Sequence, residues 1–90
     1  MSEQLDADAA VAAAGAPTDR PREVLDVRTS PPPEPLTTTL ERLATLGDET
    51  VLVQLNDRAP QHLYPKLDDR GWTYATVERD TGVVTVVWRS

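Results

Sequence analysis

Cysteine is absent from the 90 residues of this chain. The protein therefore has no disulfide, no thiolate nucleophile, no persulfide-carrying residue and no cysteine-ligated metal. It also lacks a run of about eighteen apolar residues, which a membrane-spanning helix requires. The N-terminus has neither the basic nor the apolar region of a secretion signal. We therefore expect a cytoplasmic protein that does not bind a membrane.

Cationic residues are scarce. Nine Lys and Arg stand against 15 Asp and Glu, which gives a net charge of −6, and Lys66 is the only lysine. Phosphate contacts in a nucleic-acid complex need clustered cations, so we do not expect nucleic acid as a partner. An acidic excess with few lysines is also typical of halophile-like proteins from a salt-loaded cytoplasm. Charges are strongly screened there, which weakens any argument from net charge alone.

The length allows one domain, and the composition divides the chain in two. Residues 1–22 are rich in alanine, carry no stripe of large apolar side chains and contain Pro17 and Pro21. This pattern predicts a disordered, acidic N-terminal tail. The competing interpretation is a helix over Glu3–Ala14, because alanine is the strongest helix former. Residues 23–90 are expected to form the folded domain.

The folded domain alternates strand and helix signals. An apolar run over residues 24–27 and another over residues 50–55 are typical of strands, the second of them central in its sheet. The leucines that lie on one face of a predicted helix are Leu36, Leu40, Leu43 and Leu46. Leu63 and Leu67 mark a second, shorter helix. Residues 72–78 and 83–88 flank a turn at Asp80–Gly82 and predict a hairpin.

The resulting order is β-α-β-α-β-β. Right-handed crossovers make the first three strands parallel, and the hairpin makes the last strand antiparallel to them. We therefore predict an α+β fold, a two-layer sandwich with a four-stranded mixed sheet and two helices on one face. The other face would then be open. Trp72, Tyr74 and Trp88 would either fill the core or line this open face, which would make the face an interaction surface.

Several short segments of the folded domain together resemble a known family. They are residues 25–28, residues 31–36, Asn56-Asp57 with Pro60, Leu63-Tyr64 and residues 70–72. Over residues 23–89 the chain resembles the uncharacterised domain family numbered 2249, which is similar to the TusA/SirA-like fold. The resemblance implies that fold for residues 23–90.

The same resemblance implies that sulfur-carrier chemistry is missing. TusA-type carriers open their first helix with Cys-Pro-x-Pro, and this chain has Pro32-Pro33-Glu34-Pro35 in that place. Pro32 stands where the sulfur-bearing cysteine would be. Because a helix N-terminus cannot replace the sulfur atom itself, the chain is not expected to carry sulfur.

Arg28 is the strongest candidate for a binding residue. It lies at the end of the first predicted strand, facing the start of the first helix of the folded domain. Both features favour anions, so a phosphate, a carboxylate or an acidic side chain of a partner could bind there. In the alternative interpretation, Arg28 pairs with Asp26, Glu34 or Asp57 and braces the loop.

The other candidate binding residues are Asp26, Glu34 and Asp57, together with His62 and Tyr64 at the start of the second predicted helix. One histidine among scattered carboxylates is a poor metal site, since metal ligands usually come in clusters. A surface histidine is the simpler interpretation. The three polar side chains of Thr37–Thr39 are expected to face solvent or a partner. No catalytic residue, metal or cofactor is predicted.

These observations favour a small, non-enzymatic binding or protein-interaction module whose partner is a protein or a small anion. The alternative is a small-molecule or anion-binding protein, or an enzyme, with its site at the start of the first helix. That alternative uses Arg28, Glu34, Asp57 and His62 and requires them to converge. No phosphate-binding glycine loop or other catalytic motif supports it.

Overall fold

The structure is a computed structural model that describes residues 3–31, 33–79 and 82–89, with side chains described from Asp8 onward. Its elements are α1 (Glu3–Ala14), β1 (Arg22–Asp26), α2 (Glu34–Thr45), β2 (Val51–Asn56), α3 (Leu63–Asp69), β3 (Thr73–Arg79) and β4 (Gly82–Trp88). After α1 the order is the predicted β-α-β-α-β-β. Pro32 and the first two residues of the predicted Asp80–Gly82 turn lie outside the described residues.

The four strands form one mixed sheet in the order β1-β2-β4-β3. β1 runs parallel to β2, while β4 runs antiparallel to both β2 and β3. The first three strands therefore share one direction, as the crossover argument predicted. The apolar strands β2 and β4 lie at the centre, and β1 and β3 form the two edges. The predicted α+β fold with a four-stranded mixed sheet is confirmed.

Helices α2 and α3 cover one face of this sheet, which we call the helical face. Leu43 of α2 and Leu63 and Leu67 of α3 are buried there. The full cluster of buried residues is Leu25, Val27, Leu43, Leu52, Leu63, Leu67, Trp72 and Val87. These two helices and the sheet form the predicted two-layer sandwich. Trp72 is thus a core residue of the helical face.

Helix α1 covers the opposite face of the sheet, which we call the reverse face. The buried cluster there is Ala10, Val11, Ala16, Val51, Val53, Val84, Val86 and Trp88. The described chain therefore has three helices where two were predicted. The face that was expected to be open is covered, and Trp88 lies beneath the cover.

The N-terminal segment differs from the disordered tail predicted for residues 1–22. Residues 3–14 form the helix that the sequence allowed as the alternative, and Ala10 and Val11 are 0% exposed. Gly15 takes a positive φ of 78° and ends the helix. The amide of Gly15 donates to the Ala12 carbonyl and that of Ala16 donates to the Val11 carbonyl, both at 3.1 Å. This is the Schellman pattern of a helix C-terminus. The apolar surface that α1 contacts comes from distant strands, so local sequence did not reveal it.

The first residue of β4 approaches the end of β2 closely. Gly82 has a φ of 144°, and a side-chain carbon placed there would lie 2.4 Å from the carbonyl oxygen of Asn56. Both the backbone angle and the contact restrict this position to glycine. Gly82 thereby lets the hairpin bring β4 alongside β2.

Within the described part of the chain, no helix combines the length and the apolar character needed to cross a membrane.

Candidate functional site

The end of the sheet at which β1 and β2 finish gathers most of the predicted binding residues. Because parallel strands end at the same edge of a sheet, Asp26 at the end of β1 and Asp57 just after β2 lie at this end. The loops that leave it lead into α2, which begins at Glu34, and into α3, which follows His62. We call this region the carboxyl end of the sheet.

Asp26 and Arg28 form a two-point ion pair at the carboxyl end. The Arg28 Nε donates to Asp26 Oδ1 at 2.9 Å, and Nη2 donates to Oδ2 at 2.7 Å. The backbone amide of Arg28 also donates to Oδ1 at 3.1 Å. The side-chain hydrogen bond from Arg28, followed by the amide bond, lowers the pKa of Asp26 below its ordinary value. Of the three pairings that the sequence allowed, the structure has the one with Asp26.

Three other predicted binding residues, Glu34, Asp57 and His62, take no part in the Asp26–Arg28 ion pair. Glu34 and His62 are exposed, and Asp57 lies 3.7 Å from the guanidinium of its neighbour Arg58. Among the residues that the structure describes, no three histidine or acidic side chains lie close enough to hold a metal ion.

Tyr64 lies away from the Asp26–Arg28 pair. Its ring stacks on that of Tyr74, with centroids 5.0 Å apart and planes 1° from parallel, and its hydroxyl bonds to Thr76. Tyr64 packs against the cluster of the helical face. Asp26 lies between Leu25 and Val27, which both belong to that cluster, so it points to the reverse face. The structure therefore does not bring Tyr64 and Asp26 together.

A strip of polar side chains, buried except at Thr76, lies beneath the helices, and the sequence analysis did not identify it. The Gln54 side-chain amide donates to the Thr39 hydroxyl at 2.7 Å, and the Asn56 amide donates to Gln54 Oε1 at 3.4 Å. Gln54 pairs with Thr85 across β2 and β4, and Thr85 pairs with Thr76 across β4 and β3. The hydroxyls of Thr76 and Thr85 are 3.2 Å apart. The polar strip thus runs across the sheet, and a glutamine inside an apolar strand was its one sequence signal.

The polar strip is a structural feature with its hydrogen bonds completed. Thr39, Gln54 and Thr85 are 0% exposed, and no buried side-chain nitrogen or oxygen among the described residues is without a partner. Asn56 Oδ1 also accepts from the Asp57 amide at 2.8 Å and so shapes the loop after β2. The prediction that Thr37–Thr39 face solvent or a partner is wrong for Thr39. Its hydroxyl instead fixes α2 over β2.

The reverse face is apolar at its centre and polar at its rim. Val51, Val53 and Val86 are 0% exposed beneath α1. At the rim, Arg22 of β1 forms an ion pair with Asp8 of α1 and also donates to the Thr18 carbonyl at 3.0 Å. Arg20 donates to the Arg89 carbonyl at 2.6 Å. Small apolar side chains and the Arg22–Asp8 ion pair therefore hold α1 in place, and the two other arginine contacts lie outside the helix.

Comparison with known proteins identifies the part of this architecture that is shared. A family model described as "Uncharacterized conserved protein (DUF2249)" matches residues 24–89. The chain belongs to the DUF2249 family. No curated protein and no solved structure matches the chain, so the similarity to the TusA/SirA-like fold stays a prediction. The DUF2249 match covers α2, α3, most of β1 and the other strands, whereas α1 lies outside it.

Thr39→Val should destabilise the protein by about 1–3 kcal/mol, because it leaves the buried Gln54 amide without its acceptor. The neighbouring Thr38→Val, at a half-buried position, is the matched control and should stay within about 0.5 kcal/mol of wild type. Urea unfolding measures both. Equal stability of the two variants would show that the polar strip does not hold α2.

Arg28→Ala should raise the pKa of Asp26 toward its ordinary value, measured by NMR titration of the carboxyl carbon. A lowered folded-state pKa stabilises the protein above the unfolded pKa of about 3.9, and that stability is lost as the pH falls through the folded pKa. Since the pair is partly exposed, the loss of stability at neutral pH should be only about 0–1 kcal/mol.

Arg58→Ala is the control for this measurement, because Arg58 contacts Asp57. It should leave the pKa of Asp26 unchanged. A loss of several kcal/mol in Arg28→Ala would instead make Arg28 a buried structural brace and remove it from the candidate binding residues.

Proposed function

We propose that this protein is a small, cytoplasmic, non-enzymatic binding module that engages a partner protein through the reverse face of its sheet. One observation carries the proposal. The apolar reverse face is built from strands inside the family match, but among the described residues its cover is α1, which lies outside that match. The apolar surface therefore belongs to the domain that the family shares, whereas the helix that covers it lies outside that domain.

The chemistry of the reverse face suits a protein interface. Without α1, Val51, Val53, Val84 and Val86 would be exposed side by side on the two central strands, with Trp88 at one end. Monomeric proteins rarely expose a contiguous apolar patch of this kind, and such patches mark interaction sites. A tryptophan within the patch can act as an anchor, since aromatic residues dominate binding energy at interfaces.

The reverse face also extends beyond its cover. Val24 of the edge strand β1 is 41% exposed and is the one large apolar side chain exposed among the described residues. It follows Arg22 by two positions, and Arg22 contacts α1, so Val24 lies on the reverse face as well. An exposed apolar side chain beside a covered apolar surface gives a partner a first point of contact.

The anion-binding or enzymatic alternative has weaker support. It places Arg28 at the centre of the site, together with Glu34, Asp57 and His62. In the structure the Arg28 guanidinium is bound at two points by Asp26, so an incoming anion has to compete with a carboxylate already in place. The three other residues occupy exposed positions.

To test the proposal, a partner is captured from native lysate at the salt concentration of that lysate and identified by mass spectrometry. The purified partner is then titrated against variants of the whole chain. Val24→Glu should weaken binding by about tenfold or more, because it places a charge at an apolar contact. Ala44→Glu adds the same charge at an exposed position on α2 and should bind like wild type. Equal affinities, or turnover of a small substrate without a partner, would contradict the proposal.

A further inference from the structure

We propose that α1 is a displaceable occupant of the reverse face, and that the partner replaces it with an acidic helix whose contacting side chains are small. This inference rests on the proposed function and adds the chemical class of the partner. The cover already in place serves as the template, because its sequence and contacts show what the face accepts.

The shape of the contact between α1 and the sheet is set by small side chains. Among the side chains described from Asp8 onward, those that α1 and its C-terminus bury are Ala10, Val11 and Ala16, with Ala14 packed against them, while Ala12 and Ala13 are exposed. A stripe made of alanines and one valine brings the helix backbone close to the sheet. A helix with leucines in the same stripe would have to sit farther out, since close-packed surfaces do not absorb extra volume. The reverse face therefore favours small side chains.

The rim of the reverse face carries a positive charge that an acidic residue of α1 contacts. Arg22 at the rim pairs with Asp8, which lies one helical turn before Val11. Arg20 lies nearby in sequence, and its guanidinium contacts the backbone carbonyl of Arg89. The face thus presents one arginine, Arg22, beside an acidic residue of the helix that covers it. An acidic residue at the position of Asp8 is complementary to this rim.

The contacts that hold α1 on the reverse face are weak. A helix of 12 residues is marginal on its own, and the largest side chain that α1 is seen to bury is a valine. The Asp8 side chain is 63% exposed, so its ion pair with Arg22 adds little. Gly15 has a positive φ and nothing within 4 Å of its missing side chain, which suits it to act as a pivot. Release of α1 then leaves the start of β1 intact.

Shape, charge and the weakness of the cover together assign the face to a partner protein. Its helix is acidic, presents a row of alanines to the face and makes more contacts than α1 does. Tethering gives α1 an effective concentration in the millimolar range, so a competing helix binds weakly until α1 is released. Weakening α1 should therefore strengthen the binding of a free helix with the same chemistry.

The experiment uses the full chain and, as probe, a fluorescein-labelled peptide with the sequence of residues 1–18. Val11→Asp places a charge in the buried stripe and releases α1, whereas Ala12→Asp adds the same charge at the exposed neighbouring position. The peptide should bind the Val11→Asp chain roughly tenfold more tightly than it binds the Ala12→Asp chain or wild type, because the tethered competitor is gone. Fluorescence anisotropy measures the affinities.

Two altered peptides test the two chemical claims separately. A peptide carrying Ala10→Leu tests the requirement for small side chains, and one carrying Asp8→Arg tests the requirement for acid opposite Arg22. Each should bind the Val11→Asp chain several-fold more weakly than the unaltered peptide. If Val11→Asp does not fold, Asp8→Arg in the chain replaces it, with the exposed Ala9→Arg as its control.

Equal binding of the unaltered peptide to the Val11→Asp and Ala12→Asp chains would overturn the inference, as would an altered peptide that binds equally well. Exchange of α1 between two copies, seen as a concentration-dependent dimer in light scattering, would overturn the assignment to a partner protein. If the Val11→Asp chain binds the apolar dye 8-anilinonaphthalene-1-sulfonate but not the peptide, the acidic-helix inference fails while the proposed interaction face stands.

Discussion

The pairing of β2 with β4 at the centre of the sheet is the interaction on which the rest of the structure depends. Both strands are nearly all apolar, and their alternating side chains supply both faces of the sheet at once. Leu52 and Val87 lie opposite each other and belong to the helical face, while Val53 and Val86 do the same on the reverse face. A chain with such a central pair has to cover both faces. Its two covers are chemically different.

The helices that cover the helical face are fixed by large side chains and a buried hydrogen bond, whereas α1 is held on the reverse face by small side chains. Leucines of α2 and α3 fill the first, and the Gln54–Thr39 hydrogen bond fixes where α2 lies. The cover of the second, in the part of α1 whose side chains are described, consists of alanines, one valine and an exposed ion pair. A buried polar contact favours one arrangement, because any other leaves a polar group unsatisfied. The reverse face has no described contact of that kind.

Sequence reasoning succeeded where a pattern is local. Leucine spacing predicted α2, apolar runs predicted the strands, and chain connectivity predicted which strands run parallel. It failed where an element contacts residues that are distant in the sequence. The alanines of α1 carry no stripe of large side chains, so its place on the sheet depends on β2, β3 and β4. The hydrogen bond between Gln54 and Thr39 joins two elements, and its one local sign is a glutamine inside the apolar strand β2. The pairing of Asp26 with Arg28 was one of three that the sequence allowed, and only geometry selected it.

Native-state hydrogen exchange of the wild-type chain, followed by NMR, tests most directly whether the reverse face opens on its own. We expect the amides near the end of α1 to exchange on the order of 100-fold faster than those of β2 and β4, because α1 opens locally while the sheet stays folded. The helix α2 should instead exchange together with the sheet. Protection of α1 equal to that of β2 and β4 would mean that the cover leaves only when the whole domain unfolds, which would contradict this account.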